Sequence, residues 1–156
     1  MYFEKPGKEN TAKTAELAIA AAKEGMKIVV VARVNGFKEP GKQDFPQEVR
    51  RQLEQDGMQL VIAAHALSGA ERGLSNRFGG VYPVEIIAHT LRMLGQGTKV
   101  CVECAVMALD CGAIQPGPVV CVGGTGAGAD TAWILRPAHA QNILDVKLDR
   151  LICKVG

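Results

Sequence analysis

Short apolar runs alternate with amphipathic segments along the chain. Ile28–Ala32 and Leu60–Ala64 are unbroken apolar runs, the first of them mostly β-branched. This pattern is typical of strands that are covered on both faces, as in a parallel sheet. Val119–Val122 predicts a third strand, Thr131–Leu135 a fourth, and Asp145–Val155 a final edge strand.

Helical spacing and end signals predict helices between these strands. Thr11–Glu24 is rich in Ala, Leu, Lys and Glu, and Pro46 begins a second helix that runs to Asp56. Pro83 begins a third, with apolar residues on one face and Gly95 at its end. The segment His65–Tyr82 is expected to be a long loop.

Residues 98–111 predict a helix that is apolar nearly all round. Its charged residues, Lys99, Glu103 and Asp110, fall on a narrow polar stripe, so the helix is expected to be mostly buried. Strands that alternate with helices predict an α/β layer fold. With 156 residues, the chain is expected to form a single domain over residues 1–156.

Composition narrows the function classes. The chain is 47% hydrophobic, with a formal charge of +2 and only 4% aromatic residues. This balance gives no reason to expect nucleic acid or a membrane surface as a partner. The amino terminus lacks the apolar region of a secretory signal, and no apolar run approaches the length of a membrane span. We therefore expect a soluble cytoplasmic protein.

The five cysteines are expected to be reduced thiols. Cys101, Cys104 and Cys111 lie on one side of the predicted helix, together with small apolar residues. Packing in the core explains them better than a metal site, for which no complete ligand set is apparent.

Several long motifs resemble one family. They are YFEKPGKENT at 2–11, NGFKEPG at 35–41, AHALSGAERG at 64–73, FGGVYPVEIIAHTLRMLGQG at 78–97, CVECAVMALDCG at 101–112 and GTGAGADTAWILRPAHAQNI at 124–143. The chain resembles the stand-alone archaeal and bacterial proteins similar to the carboxy-terminal α/β domain of pyruvate kinase. The resemblance implies a three-layer, Rossmann-like domain with a mostly parallel sheet. It also implies subunit contacts, and so a homo-oligomer, but not pyruvate kinase catalysis, because the catalytic barrel is absent.

One departure from this family concerns the start of the chain. Members usually carry another strand and helix there, with a Ser/Thr/Gly-rich loop that resembles the effector-phosphate loop of some pyruvate kinases. In this sequence, Ala22–Lys27 leads straight into the strand Ile28–Ala32. About one βα unit, roughly 30 residues, is therefore missing, and that phosphate loop is not carried over.

The glycine-rich stretch 123–131 is a candidate ligand loop, because glycine lets backbone N–H groups approach an anion closely. A strand rather than a helix is predicted after it, and it lacks a P-loop lysine, which argues against Walker and Rossmann dinucleotide sites. A plain turn between two strands is the alternative. The candidate ligand residues here are Gly124, Thr125, Gly126, Gly128, Asp130 and Thr131.

Two further segments follow strand ends, where open α/β sheets bind ligands. In the first, Ser68 and the Gly69 backbone are expected to bind phosphate oxygens, with the arginines as ion-pair partners; its candidates are Ser68, Gly69, Arg72, Arg77 and Gly79. The second offers Arg136, His139 and Asn142. The alternative for the first segment is a polar loop whose arginines are solvated. The alternative for the second segment is a chain reversal in which His139 and Asn142 bind backbone groups.

These segments favour a binding domain for a small anionic molecule, either a phosphorylated metabolite or a nucleotide such as FMN. An enzyme that uses the same pocket, or a regulatory oligomerisation module, remains the alternative. No nucleophile–base pair is apparent, and no acid that would orient His65 or Ser68 for catalysis can be identified.

Overall fold

The computed structural model describes residues 19–20, 23–125 and 128–154. Most of the predicted helix Thr11–Glu24 lies outside these residues. The strands are β1 (Val29–Ala32), β2 (Gln59–Ile62), β3 (Val119–Thr125), β4 (Gly128–Arg136) and β5 (Lys147–Lys154). The helices are α1 (Gln47–Gln55), α2 (Gly69–Phe78), α3 (Pro83–Arg92), α4 (Gln96–Asp110) and a 3-10 helix, Ala140–Asp145.

The described strands form two sheets. β1 and β2 pair in parallel, as their apolar sequences predict, whereas β3, β4 and β5 form an antiparallel sheet in that order. The expectation of a mostly parallel sheet is therefore met only by the β1–β2 pair. The reason is the connection between β3 and β4, because Gly128 follows Thr125 too closely for the dozen or more residues that a parallel crossover needs. The chain is of the α/β class.

Helix α4 lies at the centre of the molecule, and its residues 97–109 are all buried. Cys104 and Ala108 pack against Val31 of β1, while Ala105 packs with Leu135 of β4 on a neighbouring face. One helix thus supports both sheets, which explains why it is apolar nearly all round.

The polar stripe predicted for α4 is itself buried at Lys99 and Glu103. Lys99 is only 3% exposed and Glu103 is fully buried. The Lys99 ammonium pairs with Glu103 Oε2, one helical turn away. Two charges of opposite sign neutralise one another here, which allows both to be buried.

The prediction of a loop over His65–Tyr82 was wrong, because α2 occupies the centre of this segment. Its sequence, GAERGLSNRF, contains two glycines and gave no clear helical signal. Contacts with α3 compensate for this weak propensity. The Glu71 carboxylate accepts hydrogen bonds from the Val84 and Glu85 N–H groups at 3.2 and 3.0 Å, and Ser75 Oγ donates to Glu85 Oε1 at 2.8 Å. Within the described residues, no helix is long and apolar enough to cross a membrane.

Candidate functional site

A cleft of about 500 Å³ opens where the chain leaves the carboxyl end of β2. Its walls come from the segment after β2, the first turn of α2, the end of α4 and the start of the 3-10 helix. The lining residues are Ala63, Ala64, His65, Ala66, Ser68, Gly69, Ala70, Glu71, Val84, Met107, Asp110, Cys111 and Ala140. This is the edge of a parallel sheet at which α/β proteins bind ligands.

The amino end of α2 supplies hydrogen-bond donors to this cleft. The first N–H groups of a helix have no acceptor within the helix, and they carry the positive end of its dipole. Ser68 occupies the N-cap position, but its hydroxyl does not cap these groups. Gly69 has a φ of +33°, a conformation that a residue with a Cβ rarely adopts. The backbone at the start of α2 therefore favours glycine at this position.

Two carboxylates in the lining are already engaged by backbone donors. Glu71 binds the first turn of α3, as described above. Asp110 accepts hydrogen bonds from the Ala140 N–H at 3.3 and 3.2 Å through its two oxygens. Both charges are thus directed at the first turns of other helices, which reduces their repulsion of an anion in the cleft.

Asp110 also binds His139, with 2.7 Å between Oδ1 and Nδ1. Asp110 is therefore the acid partner of His139. A histidine whose Nδ1–H is held by a carboxylate presents Nε2 as its acceptor atom. The two residues are 29 positions apart, and only the packing of the 3-10 helix against the end of α4 joins them. No local sequence signal could have indicated this pair.

His65 is 8% exposed and forms one wall of the cleft. The Phe37 ring stacks on it, with 5.6 Å between centroids and 18° between planes. Arg33 Cζ lies 4.4 Å from the centroid of the Phe37 ring, and Arg33 Nη1 is 3.7 Å from Asp44 Oδ2. The loop after β1, which carries the NGFKEPG motif, is thereby connected to the cleft wall.

The arginines predicted as phosphate partners lie outside the cleft. Arg72 Nε is 4.0 Å from Glu85 Oε1, and neither Arg72 nor Arg77 lines the cavity. Arg136 Nη2 binds Asp149 Oδ1 at 2.7 Å, and this bond raises the pKa of the guanidinium. Each of these three side chains is exposed, as are Asn142 and Gly79, which follows the last residue of α2.

The glycine-rich stretch lies at the opposite end of α4 from the cleft. Gly124 pairs with Ala129, and Thr125 with Gly128, in the β3–β4 hairpin, while Gly126 lies outside the described residues. The hairpin packs on the first turn of α4, where Thr131 and Asp130 approach Gly97. Thirteen helical steps separate Gly97 from Asp110, about 20 Å.

The structure therefore brings Ser68 and Gly69 close to the segment that contains His139, but it does not bring the glycine-rich turn to them. Three segments were expected to share one pocket; the first contributes residues 68–71 to the cleft and the third contributes Ala140, whereas Arg136, His139 and Asn142 do not line it. In the hairpin, a Cβ on Gly124 would overlap the carbonyl of Gly128, so glycine there permits two strands to approach closely. Thr131 is buried, and its hydroxyl donates to Asp130 Oδ1 at 2.6 Å.

The five cysteines are all free thiols. Burial raises the pKa of Cys101 to about 12 and of Cys121 to about 11, and it raises the pKa of Cys104 as well. Cys101 and Cys104 are core residues, as expected. Cys111 is not, because it lies just beyond the end of α4, is exposed and lines the cleft.

No family model matches the chain.

Proposed function

We propose that this protein binds a small phosphorylated anion in the cleft at the amino end of α2. The observation that carries the proposal is the open first turn of that helix. Gly69 and Ala70 line the cleft together with Ser68, whose hydroxyl is not used as a cap, and the N–H groups of this first turn have no acceptor within the helix. Backbone donors at a helix amino terminus bind phosphate oxygens through hydrogen bonds and through the helix dipole.

The size and position of the cleft support the same ligand class. A volume of about 500 Å³ falls within the roughly 300–1,000 Å³ of small-molecule sites, and it admits a sugar phosphate or a nucleotide such as FMN. Besides the first turn of α2, the lining includes the apolar side chains of Ala63, Val84 and Met107. In this proposal the domain is Rossmann-like and similar to the carboxy-terminal domain of pyruvate kinase, with the parallel β1–β2 pair as its supporting feature.

A thermal-shift screen tests the proposal. Inorganic phosphate, sugar phosphates and FMN are each added to the purified protein over a concentration series. A ligand at 100 times its Kd stabilises the folded state by about 2.7 kcal/mol, which raises the Tm by roughly 5–10 °C for a chain of this size. Unphosphorylated sugars and riboflavin serve as matched ligands that lack the anion.

Two variants assign a positive result to the cleft. Ser68→Ala removes the hydroxyl at the first turn of α2, and we expect a loss of affinity of about tenfold, as for one hydrogen bond to a charged group. Asn76→Ala changes an exposed side chain on the same helix and is expected to leave affinity unchanged. The proposal is wrong if no phosphorylated compound shifts the Tm at millimolar concentration, or if both variants lose affinity equally.

The Asp110–His139 pair favours a second candidate function, general base catalysis on a ligand that extends from the cleft to His139, which adjoins the lining residues Asp110 and Ala140. Asp110 holds the imidazole through Nδ1, in the manner by which a carboxylate orients a catalytic histidine. If a bound compound is turned over, His139→Gln should abolish turnover and Asp110→Asn should reduce it, with little change in ligand affinity. Turnover that survives His139→Gln would exclude this role.

A further inference from the structure

The wall of the cleft at α2 continues into the loop after β1, residues 33–45. The Phe37 ring of this loop stacks on His65, and His65 lines the cleft. Lys38 follows Phe37 directly, so its Cα lies about 3.8 Å from that of Phe37. The arginines expected as phosphate partners lie outside the cleft, and this loop places a lysine beside its wall.

The charges of the loop do not balance around Asp44. Asp44 Oδ2 is 3.4 Å from Lys38 Nζ and 3.7 Å from Arg33 Nη1, so one carboxylate oxygen faces two cations. Both distances exceed the roughly 2.7–3.2 Å of a hydrogen bond. Arg33 is only 5% exposed, and its Nε is buried without a hydrogen bond among the described residues. These three side chains therefore carry one positive charge in excess.

Lys38 is the cation that can leave Asp44 at little cost. Its side chain is 55% exposed, whereas that of Arg33 is 6% exposed. An exposed ion pair contributes little to stability, but a buried guanidinium needs its counter-ion. When the Lys38 ammonium moves to another anion, Asp44 stays with Arg33, and no buried charge loses its partner.

We propose that Lys38 is the cation that contacts the anion bound in the cleft at α2. This inference rests on the proposed function and adds to it an ion-pair partner for the phosphate. A lysine ammonium is a point charge on a flexible four-carbon stem, and it binds phosphate without a fixed geometry. The phosphate then has backbone donors from the first turn of α2 on one side and a charge from the loop after β1 on the other.

The loop backbone that carries Lys38 is held in place by hydrogen bonds. The Gly36 N–H donates to the Lys42 carbonyl at 2.7 Å, which closes the turn around Lys38. Gln43 Nε2 donates to the Arg33 carbonyl at 2.9 Å and ties the base of the loop. Only the lysine side chain has to rearrange on binding, which keeps the ordering cost small.

Calorimetric titration of the purified protein with inorganic phosphate and with FMN tests the assignment. Lys38→Met removes the charge but keeps an unbranched side chain, and we expect the Kd to rise by about tenfold or more, as for the loss of a hydrogen bond to a charged group. Lys38→Arg restores the charge and should restore most of the affinity. Lys42→Met is the control, because Lys42 lies on the same loop, is 67% exposed and pairs with Glu39. It should change the Kd by less than about twofold, since an exposed charge outside the site is screened.

Chemical protection gives a second readout that a structural role of Lys38 would not change. Acetylation by acetic anhydride, followed by mass spectrometry, should slow at Lys38 but not at Lys42 when the probe is bound. A parent protein that binds a probe, with a Kd that Lys38→Met leaves unchanged or a Lys38 that stays equally reactive, would overturn the assignment and leave the proposed function intact. Equal losses of affinity in Lys38→Met and Lys42→Met would also overturn it. No binding of either probe by the parent protein would overturn the proposed function and this assignment together.

Discussion

The buried carboxylate of Glu103 accepts a hydrogen bond of 3.0 Å from the backbone N–H of Leu67, although the two residues are 36 positions apart. Leu67 immediately precedes Ser68, the N-cap of α2, and its side chain is buried in the core. Through this bond, the central helix fixes the chain just before the first turn that opens on the cleft. The other oxygen of Glu103 pairs with Lys99, so one buried carboxylate supports both the core and the candidate site.

The substitution Glu103→Gln separates these two roles. The glutamine oxygen can still accept from the Leu67 N–H, but the Lys99 ammonium loses its counter-ion in the core. We expect the free energy of unfolding to fall by about 3–5 kcal/mol, the usual cost of removing one partner from a buried ion pair. Urea denaturation measures this loss.

The matched control for this change is Glu54→Gln. Glu54 pairs with Arg50 at 2.8 Å with the same i,i+4 spacing, but both side chains are about half exposed. An exposed pair of this kind contributes about 0.3–0.5 kcal/mol, so the control should be nearly neutral. Similar losses in the two variants would mean that the burial of Lys99 and Glu103 does not determine their contribution.

The Lys99–Glu103 pair shows which features of the fold the sequence could predict and which it could not. Apolar residues around nearly the whole of α4 correctly predicted a buried helix. A Lys and a Glu four residues apart usually indicate a solvated helix face, and only contacts from distant parts of the chain, such as Leu67, bury them. Local pattern carries no information about such contacts.

The candidate site was also predictable from the sequence only in part. Ser68 and Gly69 were identified because they follow a buried strand, and this relationship is local in the sequence. The glycine-rich turn was grouped with them because glycine permits ligand contact and close strand packing equally well. Its position, at the other end of α4, depends on the antiparallel pairing of β3 with β4, which the expected parallel sheet did not include.

The second prediction concerns Gly97 and the packing of the β3–β4 hairpin on α4. A Cβ at this position would overlap Thr131 Oγ1 and lie 2.5 Å from Asp130 Oδ1. We expect Gly97→Ala to destabilise the protein by about 1–3 kcal/mol, the usual cost of overpacking, because the hairpin must move away from α4. Thermal denaturation measures the effect.

Gly73→Ala is the control, since Gly73 is also a helical glycine but has nothing within 4 Å of an added Cβ. Alanine there should stabilise α2 by roughly 0.5–1 kcal/mol, because it restricts the unfolded chain and favours the helix. The packing argument fails if the two substitutions change stability in the same direction.

The single tryptophan offers a third prediction. Trp133 Nε1–H donates to Thr98 Oγ1 at 3.0 Å, and Thr98 is fully buried. Thr98→Val keeps the shape of the side chain but removes the acceptor, and the unsatisfied indole N–H should cost about 1–3 kcal/mol. Denaturation followed by tryptophan fluorescence measures both the stability and the environment of the indole.

Thr90→Val is the corresponding control, because the exposed Thr90 hydroxyl donates to the Ile86 carbonyl of its own helix. We expect it to change stability by less than about 0.5 kcal/mol. A Thr98→Val protein as stable as the parent would show that the indole bond contributes no net stability.

The cysteines give the last prediction, which concerns both reactivity and pH. Because thiolates are the reactive form, Cys111 and Cys153, which are exposed, should react quickly with a thiol reagent at pH 8. The three buried cysteines should react only after unfolding.

Burial raises the pKa of Cys101 from 9.0 to about 12, so the unfolded chain releases this proton first as the pH rises. The stability that the buried, protonated thiol contributes is therefore complete below pH 9 and declines between about pH 9 and 12. Cys101→Ala should make this alkaline decline shallower in urea titrations than it is in the parent protein. Rapid modification of a third thiol in the folded protein, or a decline that Cys101→Ala leaves unchanged, would contradict the buried position of Cys101.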